Sequence, residues 1–338
     1  MSIMSCGDDA TVNPQPPSSA ENIVFYNQVD AYGEILSVYR ISGDGTGKVK
    51  IADTAAIWGH SFKNKIVYSK FAGNTTEIVI ANADGTGSKT IKTINESSVR
   101  CALSPDAMKV MYYFYVESGL SSYTAIHCMN IDGTEDITLV PLAANETIPM
   151  FSPDGSQVAF LKDVKEDALR HSDSLFIINT NGTGERFIAA GMENVSDYID
   201  VLDWSPDGKK IVAENRNNGN IIMIVTIANG AVEFINNTVT LFSPVWAPNN
   251  REIAFTGFEG GKFYLNTMNS DGSAQKKLTP PASKTAVPSF IQWPLDGTSL
   301  LYTEYSLDKK YGPLKLINRN TLQTITLDER ALRGYWKK

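Results

Sequence analysis

The sequence predicts an all-β fold, a seven-bladed β-propeller built of four-stranded antiparallel blades, with six blades as the alternative. Three observations lead there. Apolar, β-branched runs of four to six residues are separated by Pro-Asp-Gly and Asn-Gly turns; such runs are too short for helices, and the turn residues supply the φ values a hairpin needs. Two different turn motifs recur along the chain. Their copy numbers differ by one, and that difference says how the two chain ends meet.

The repeating unit is clearest from Pro149 to Ile188. The run Ile148-Pro149-Met150-Phe151 enters the turn Ser152-Pro153-Asp154-Gly155 and leaves it as Gln157-Val158-Ala159-Phe160-Leu161. After a polar excursion, Ser174-Leu175-Phe176-Ile177-Ile178 leads to the turn Asn179 to Gly184, and Arg186-Phe187-Ile188 closes the unit. That is four strands joined by three turns, an antiparallel meander. The third-turn motif recurs at Asp44-Gly45, Asp84-Gly85, Asp132-Gly133, Asn181-Gly182, Asn229-Gly230, Asp271-Gly272 and a degenerate Asn320-Thr321, seven copies with a mean spacing of 46 residues between 44 and 320. The first-turn motif has six copies. Ser104-Pro105-Asp106-Ala107, Ser152-Pro153-Asp154-Gly155 and Ser205-Pro206-Asp207-Gly208 are clear, Ala247-Pro248-Asn249-Asn250 and Pro294-Leu295-Asp296-Gly297 are recognisable, and Ser61-Phe62-Lys63-Asn64 is worn.

Repeat one has a second strand (Ile23 to Tyr26), a third (Leu36 to Ile41) and a fourth (Lys48 to Ala52), but no first strand ahead of them. At the other end repeat seven finishes at Thr326-Leu327, leaving the spare run Arg333-Gly334-Tyr335-Trp336. Its aromatics match those at the first-strand ends, Trp58, Phe151, Trp204, Trp246 and Trp293. The C-terminal strand is therefore expected to complete the blade that the N-terminus begins. Four strands in a period of about 40 to 50 residues is the sequence signature of a propeller, in which radial repetition removes long exposed edges.

The ends and the composition narrow the function classes. Residues 1–19 form a tether and 20–338 a single propeller domain. Gly7 to Ala20 is polar and holds Pro14, Pro16 and Pro17, a linker composition. Ahead of it, Ile3-Met4-Ser5-Cys6-Gly7 resembles the cleavage site and mature start of a bacterial lipoprotein, although only five residues, neither basic nor strongly apolar, precede Cys6. Lipidation at Cys6 is the expectation, with an upstream in-frame signal segment as its corollary and an inert linker cysteine as the alternative. A net charge of −7 without clustered Lys and Arg argues against nucleic acid as partner. No run of 18 or more apolar residues occurs. Cys101 and Cys128 fall in the first and third strands of one repeat, roughly 9–10 Å apart at about 4.8 Å per strand spacing. That is beyond disulfide reach, and both are expected as buried thiols.

The pattern Phe/Trp-Ser-Pro-Asp-Gly-x-x-Ile/Val-x-Phe followed by Asn-x-Asp-Gly-Thr resembles the PD40 repeat of the TolB-like propellers, relatives of WD40 in architecture. The resemblance runs from about residue 20 to 336. TolB itself has six blades and an additional N-terminal α/β domain, whereas this chain shows seven repeats and a tether, so a Tol–Pal role does not follow from the resemblance.

With strands labelled a to d outward from the axis, the stereotyped a–b and c–d turns lie on one face and the variable b–c and d–a connections on the other. Variable loops on a rigid scaffold usually carry function. That face is the sequence-level candidate site. Its longest b–c segment, Asp163 to Asp173, is densely charged, and Tyr305 to Tyr311 adds aromatic and basic groups. The nominated ligand-binding residues are Arg100, Glu146, Arg170, His171, Tyr198, Asp200, Arg216 and Tyr311, since Arg and Tyr combine contact area with hydrogen bonding. Asp132, Asp154, Asp207 and Asp271 recur at turn positions and are read as turn builders rather than catalytic or metal-binding carboxylates.

No catalytic motif emerges. Gly-x-Ser-x-Gly is absent, and no stretch remains for the α/β-hydrolase domain that enzymes of the prolyl-oligopeptidase type join to a similar propeller. His60, His127 and His171 are scattered over different repeats without zinc-like spacing, which disfavours the His-held metal of oligogalacturonate lyase, a seven-bladed relative. No metal or other cofactor is expected, with a carboxylate Ca²⁺ site drawn from Glu146, Asp197 or Asp200 as the alternative. The expected function is a non-catalytic, monomeric binding module of the bacterial cell envelope. It would touch the membrane only through a lipid anchor and bind a protein or glycan on the b–c/d–a face and in the central funnel. The alternative is a polysaccharide lyase or hydrolase with its site in that funnel.

Overall fold

The computed structural model describes residues 22–118, 121–143, 148–167, 170–192, 202–215, 221–235, 240–282 and 285–338. Among these, every regular element is a strand or a turn. Repeat one holds β1 (Ile23–Val29), β2 (Ile35–Ser42) and β3 (Val49–Asp53). Repeat two follows with β4 (Ala55–Ala56), β5 (Lys65–Ala72), β6 (Thr75–Asn82) and β7 (Lys89–Ile94), and repeat three with β8 (Arg100–Leu103), β9 (Lys109–Ser118), β10 (Ser121–Asn130) and β11 (Ile137–Ala143). Repeat four comprises β12 (Met150–Phe151), β13 (Gln157–Asp167), β14 (Arg170–Asn179) and β15 (Arg186–Met192). Repeat five comprises β16 (Leu202–Trp204), β17 (Lys210–Asn215), β18 (Ile221–Thr226) and β19 (Val232–Ile235). Repeat six runs through β20 (Thr240–Trp246), β21 (Glu252–Glu259), β22 (Lys262–Asn269) and β23 (Lys276–Lys277), and repeat seven through β24 (Ala286–Gln292), β25 (Ser299–Ser306), β26 (Gly312–Asn318) and β27 (Thr324–Trp336).

Repeats two to six each form one four-stranded antiparallel sheet, the architecture of a propeller. The remaining strands form a single seven-stranded sheet in the order β24-β25-β26-β27-β1-β2-β3. Its centre is β27. The first half pairs with β26 (Ile317↔Thr324, Lys315↔Thr326), the second with β1 (Tyr26↔Gly334, Phe25↔Tyr335, Val24↔Trp336), and Ala331 is partnered on both sides, by Gly312 and Gln28. The sequence suggests two separate runs here. Between Leu327 and Arg333 stands Asp-Glu-Arg-Ala-Leu, without Gly or Pro, and the chain continues as one strand of 13 residues.

Burial explains the composition of these strands. The inner strands are covered on both faces by neighbouring repeats, so they read as continuous apolar runs rather than alternating ones. In β18, Ile222, Met223, Ile224 and Val225 are all buried. Outer strands such as β3 and β7 are largely exposed and lysine-bearing, which discourages edge-to-edge pairing. Each pair of successive repeats shares one apolar core. One more core joins the two halves of the seven-stranded sheet, with Leu301, Leu314 and Leu327 against Val24, Tyr26, Ile41 and Trp336.

Polar staples cross the same interfaces. Asn27 of β1 donates to Ile57 O (2.9 Å) and accepts from Ile57 N (2.8 Å), Ser69 of β5 donates to Val99 O (2.6 Å), Glu214 of β17 accepts from Ser243 N (3.4 Å), and Thr256 of β21 donates to Pro288 O. In every case a second-strand side chain reaches the first-strand backbone of the next repeat. Tyr113, Leu161 and Thr303 hold the corresponding position in the other three repeats.

The turn motifs act as their residue types dictate. Asp44, Asp84 and Asp132 each accept hydrogen bonds from the backbone and hydroxyl of the threonine two residues on, and Asp271 does so from Ser273. Asp106, Asp154 and Asp207 each accept from the serine two residues before them. The c–d turns also bear on the preceding repeat. A Cβ on Gly133 would lie 2.5 Å from Ile91 O, and one on Gly230 2.3 Å from Ile188 O. Cys101 and Cys128 are free, buried thiols, pushed up by burial to about 12 and about 11.

One expected loop is a strand. The charged b–c segment Asp163 to Asp173 extends β13 and β14, with Asp163↔Asp173, Val164↔Ser172, Lys165↔His171 and Asp167↔Arg170 paired. Ladder hydrogen bonds are indifferent to side-chain charge, so an antiparallel pair can run on past its apolar core as far as a turn residue permits. Cys6 and the tether lie outside the described residues.

Candidate functional site

The a–b turn end of the molecule encloses a cavity of about 510 Å³ to which repeats two to seven contribute, together with the end of β27 that pairs with β1. Its rim carries the turn prolines Pro105, Pro153, Pro206 and Pro248 together with Leu295 and Phe62. Its wall is aromatic, and the reason lies in register. Phe151, Trp204 and Trp246 each pair with the first buried residue of the neighbouring strand, Val158, Ile211 and Ile253; Trp336 holds the same register against Val24 but packs into the core, and Tyr335 lines the cavity there. Trp293 follows Gln292 at the end of β24, and Leu103, opposite Val110, takes the place in repeat three.

This girdle also ties the repeats together. Trp204 Nε1 donates to Met150 O (3.4 Å) and Trp336 Nε1 to Gln292 O (3.5 Å), each indole reaching back one repeat. Trp58 departs from the pattern that its sequence position suggests. It stands three residues ahead of Ser61, not one, and its ring packs against the Arg100 guanidinium at 4.8 Å. The residue directly ahead of Ser61 is His60, so a histidine takes the girdle position in repeat two.

Polar groups are few and converge on the same space. His60 Nδ1 lies 3.3 Å from Trp336 O, and the ring is edge-on to Tyr335 and Phe62. Burial, with the Lys338 ammonium second, holds its imidazole well below the usual histidine value, against the opposing effect of hydrogen bonds to Trp336 O and the Gln292 side chain. Asp203 Oδ2 accepts from Trp246 N at 2.6 Å. Burial lowers Lys338 from the ordinary lysine value, opposed by the Asp203 carboxylate. The buried guanidinium of Arg333 lies over the Phe290 ring at 4.3 Å. An apolar, aromatic enclosure with a handful of placed polar groups is suited to holding an apolar ligand segment in one orientation.

The nominated residues of the opposite face are only partly in view. Arg100 opens β8 and is clamped between Trp58 and Tyr115, donating to Tyr115 Oη at 3.1 Å, one layer behind the cavity wall. Tyr311 is half-buried between β25 and β26, where its carbonyl accepts from Ser306 N at 3.0 Å. Arg170 and His171 lie in β14. Glu146, Tyr198, Asp200 and Arg216 lie outside the described residues, as does Asp197. Among the described residues no group of three or more His, Cys, Asp or Glu is arranged to hold a metal ion. Sequence reasoning did not assemble this cavity, although its signal, an aromatic one residue ahead of most of the first turns, was among the motifs that defined the repeats.

Comparison with known proteins bears on the fold. A model of the PD40 family, described as the TolB beta propeller domain, matches residues 13–294. TolB from Acinetobacter baumannii superposes with a TM-score of 0.53 at 17% identity, covering 79% of this chain and 65% of that one. The β-propeller domain of the Trilobed protease from Pyrococcus furiosus, described as having an open velcro topology, gives 0.63 at 12% identity over 93% and 94%. The acylaminoacyl peptidase of Pyrococcus horikoshii gives 0.62 at 13% identity over 92% and 51%. This chain thus spans about 65% of the A. baumannii TolB and half of the peptidase. No curated protein matches it. At these identities the solved structures speak for the fold, and the family match, over most of the length, places the chain in the TolB β-propeller domain family.

Proposed function

We propose that the chain is a seven-bladed ring closed by β27, and that it is a monomeric, non-catalytic binding module of a bacterial cell envelope. In this account a lipid on Cys6 anchors it, and the axial cavity takes an apolar segment of a protein partner. The observation that carries the reading is that one aromatic cavity collects residues from repeats two to seven and from the end of β27, which pairs with β1 of repeat one. A ring is the arrangement that gives seven repeats a common axis, and the core shared across β27 is what closure requires. Kinship with TolB supports an envelope setting and a protein partner. Met108 and Leu295, 60% and 66% exposed near the a–b turns, extend the apolar surface beyond the rim.

The test is capture of envelope proteins by the full chain and by two variants, Leu295→Glu at the rim and Trp204→Ala in the wall. A specific partner should be retained by the parent and lost from both variants. Equal retention by all three would remove the cavity from consideration. A second reading places the partner on the b–c/d–a face, and the paired extension of β13 and β14 out to Asp167 and Arg170 favours it. Under that reading Tyr311→Ala, and not Leu295→Glu, abolishes capture. Turnover of a polysaccharide by the chain would replace both with a lyase or hydrolase.

A further inference from the structure

Repeat six differs from the other six at one inner position. The residue after the interface staple is Gln28, Lys70, Phe114, Lys162, Asn215 or Glu304 elsewhere, and Gly257 here. Gly257 pairs with Tyr264 across β21 and β22, and Asn266, Lys277 and Glu259 stand on the same face of the sheet. Where the other repeats place a side chain, repeat six has a groove of about 260 Å³ lined by Gly257, Glu259, Tyr264, Asn266, Gln275 and the two lysines 276 and 277. A Cβ on Gly257 would lie 2.7 Å from Asn266 Nδ2, so the floor of the groove depends on the missing side chain. Beyond the two-residue β23 the chain stays against β22, Leu278 N and Ala282 N donating to the carbonyls of Leu265 and Phe263 on either side of Tyr264.

The chemistry of the lining selects among ligands. Lys277 sits over the Tyr264 ring at 4.4 Å and is paired with Glu259, and Lys276 donates to Arg319 O at 3.1 Å. Both ammonium groups are therefore engaged within the protein. Asn266 is 7% exposed; its Nδ2 donates to Tyr264 O at 2.9 Å, while its Oδ1 accepts no hydrogen bond among the described residues. Gln275 is exposed at the edge of the groove and also uses its amide N–H, donating to Gly272 O at 3.3 Å, which leaves Oε1 facing outward as an acceptor. The buried Asn266 oxygen calls for a ligand that donates hydrogen bonds, with Gln275 as a second acceptor beside it, and two carbonyl oxygens disfavour an anion. The groove is smaller than the roughly 300–1,000 Å³ of sites for drug-sized molecules, which matches a single ring.

We propose that this groove is a subsite for one neutral pyranose unit of a glycan, its hydroxyls donating to Asn266 Oδ1 and Gln275 Oε1 and its C–H groups lying against Tyr264 and the Lys277 stem. The site is separate from the axial cavity and does not depend on it. Glucose, galactose, mannose and N-acetylglucosamine, with inorganic phosphate in parallel, are titrated into the full chain while the side-chain amide of Asn266 and the backbone amide of Tyr264 are followed by NMR. At least one sugar is expected to shift both resonances saturably, with a Kd on the order of 1 mM. Gly257→Lys, which restores the residue found in repeats two and four, and Tyr264→Ala, which leaves the backbone unchanged, should each weaken binding about tenfold or more. The proposal is overturned if no sugar shifts these resonances, if both folded variants bind as the parent does, or if phosphate alone is bound.

Discussion

The two ends of this propeller are built on different rules. At the a–b turn end the same few residue types recur in repeat after repeat, mostly an aromatic followed by Ser-Pro-Asp-Gly or its remnants, and Asp106, Asp154 and Asp207 are each held by the serine two residues before them. At the b–c/d–a end the connections share no motif and differ in length, from the short turn after β5 to the paired extension of β13 and β14. Variability is usually the mark of function. Here the repetitive end encloses the cavity, because the motif aims the residue ahead of the turn at the same space in each repeat, Phe151, Trp204, Trp246 and Trp293 in four of them and Leu103 and His60 in two others. A structural motif repeated along the chain becomes a site by convergence, without any one copy looking functional.

If the turn end is the rigid one, its substitutions should dominate stability. The largest effect belongs to Trp336→Ala, which removes a buried ring from the core between the two halves of the seven-stranded sheet. A loss of about 3–5 kcal/mol is expected by urea denaturation, and a loss below about 1 kcal/mol would break the case for closure through β27. Next comes Gly230→Ala. Its φ of 70° and the 2.3 Å approach to Ile188 O leave no room for a Cβ, and roughly 2 kcal/mol or more should be lost. Asn27→Ala leaves the buried amide and carbonyl of Ile57 without their partner, for about 1–3 kcal/mol.

A smaller effect tests the cavity's electrostatics. Burial holds His60 neutral in the folded protein, whereas in the unfolded chain it titrates near 6.5. The unfolded state thus binds the extra proton first, so the contribution is intact above 6.5 and declines as pH falls below it. The melting temperature should drop between about pH 6.5 and 5, and the drop should shrink in His60→Gln. At the loop end Tyr32, 86% exposed, is expected to change stability by less than about 0.5 kcal/mol when replaced by Ser.

Most of the fold was legible because the turns are chemically explicit. Asp-Gly and Pro-Asp-Gly mark where φ must turn positive, and seven copies against six singled out the spare C-terminal run, whose strand pairs with β1. What misled was composition. The charges between Asp163 and Asp173 suggested a loop, but a β-ladder reads backbone, not charge, and the pairing runs through them. Trp58 was aligned with the girdle by residue type, while register gives that place to His60. The cavity escaped because its residues had already been explained as packing, and nothing in a linear sequence shows that packed side chains of separate repeats converge. Gly257 was unremarked for a similar reason, since a missing side chain is visible only against the six repeats that have one.

The most direct test of the central claim compares the two ends in one experiment. A photoreactive amino acid is placed singly at Met108 and Leu295, at the turn end, and at Tyr32 and Leu307, at the loop end, in the protein expressed in its own envelope. Discrete adducts with the same partner from Met108 and Leu295, and none from Tyr32 and Leu307, is the result the axial-cavity account predicts. Adducts confined to Tyr32 and Leu307 would contradict it and return the function to the variable loops.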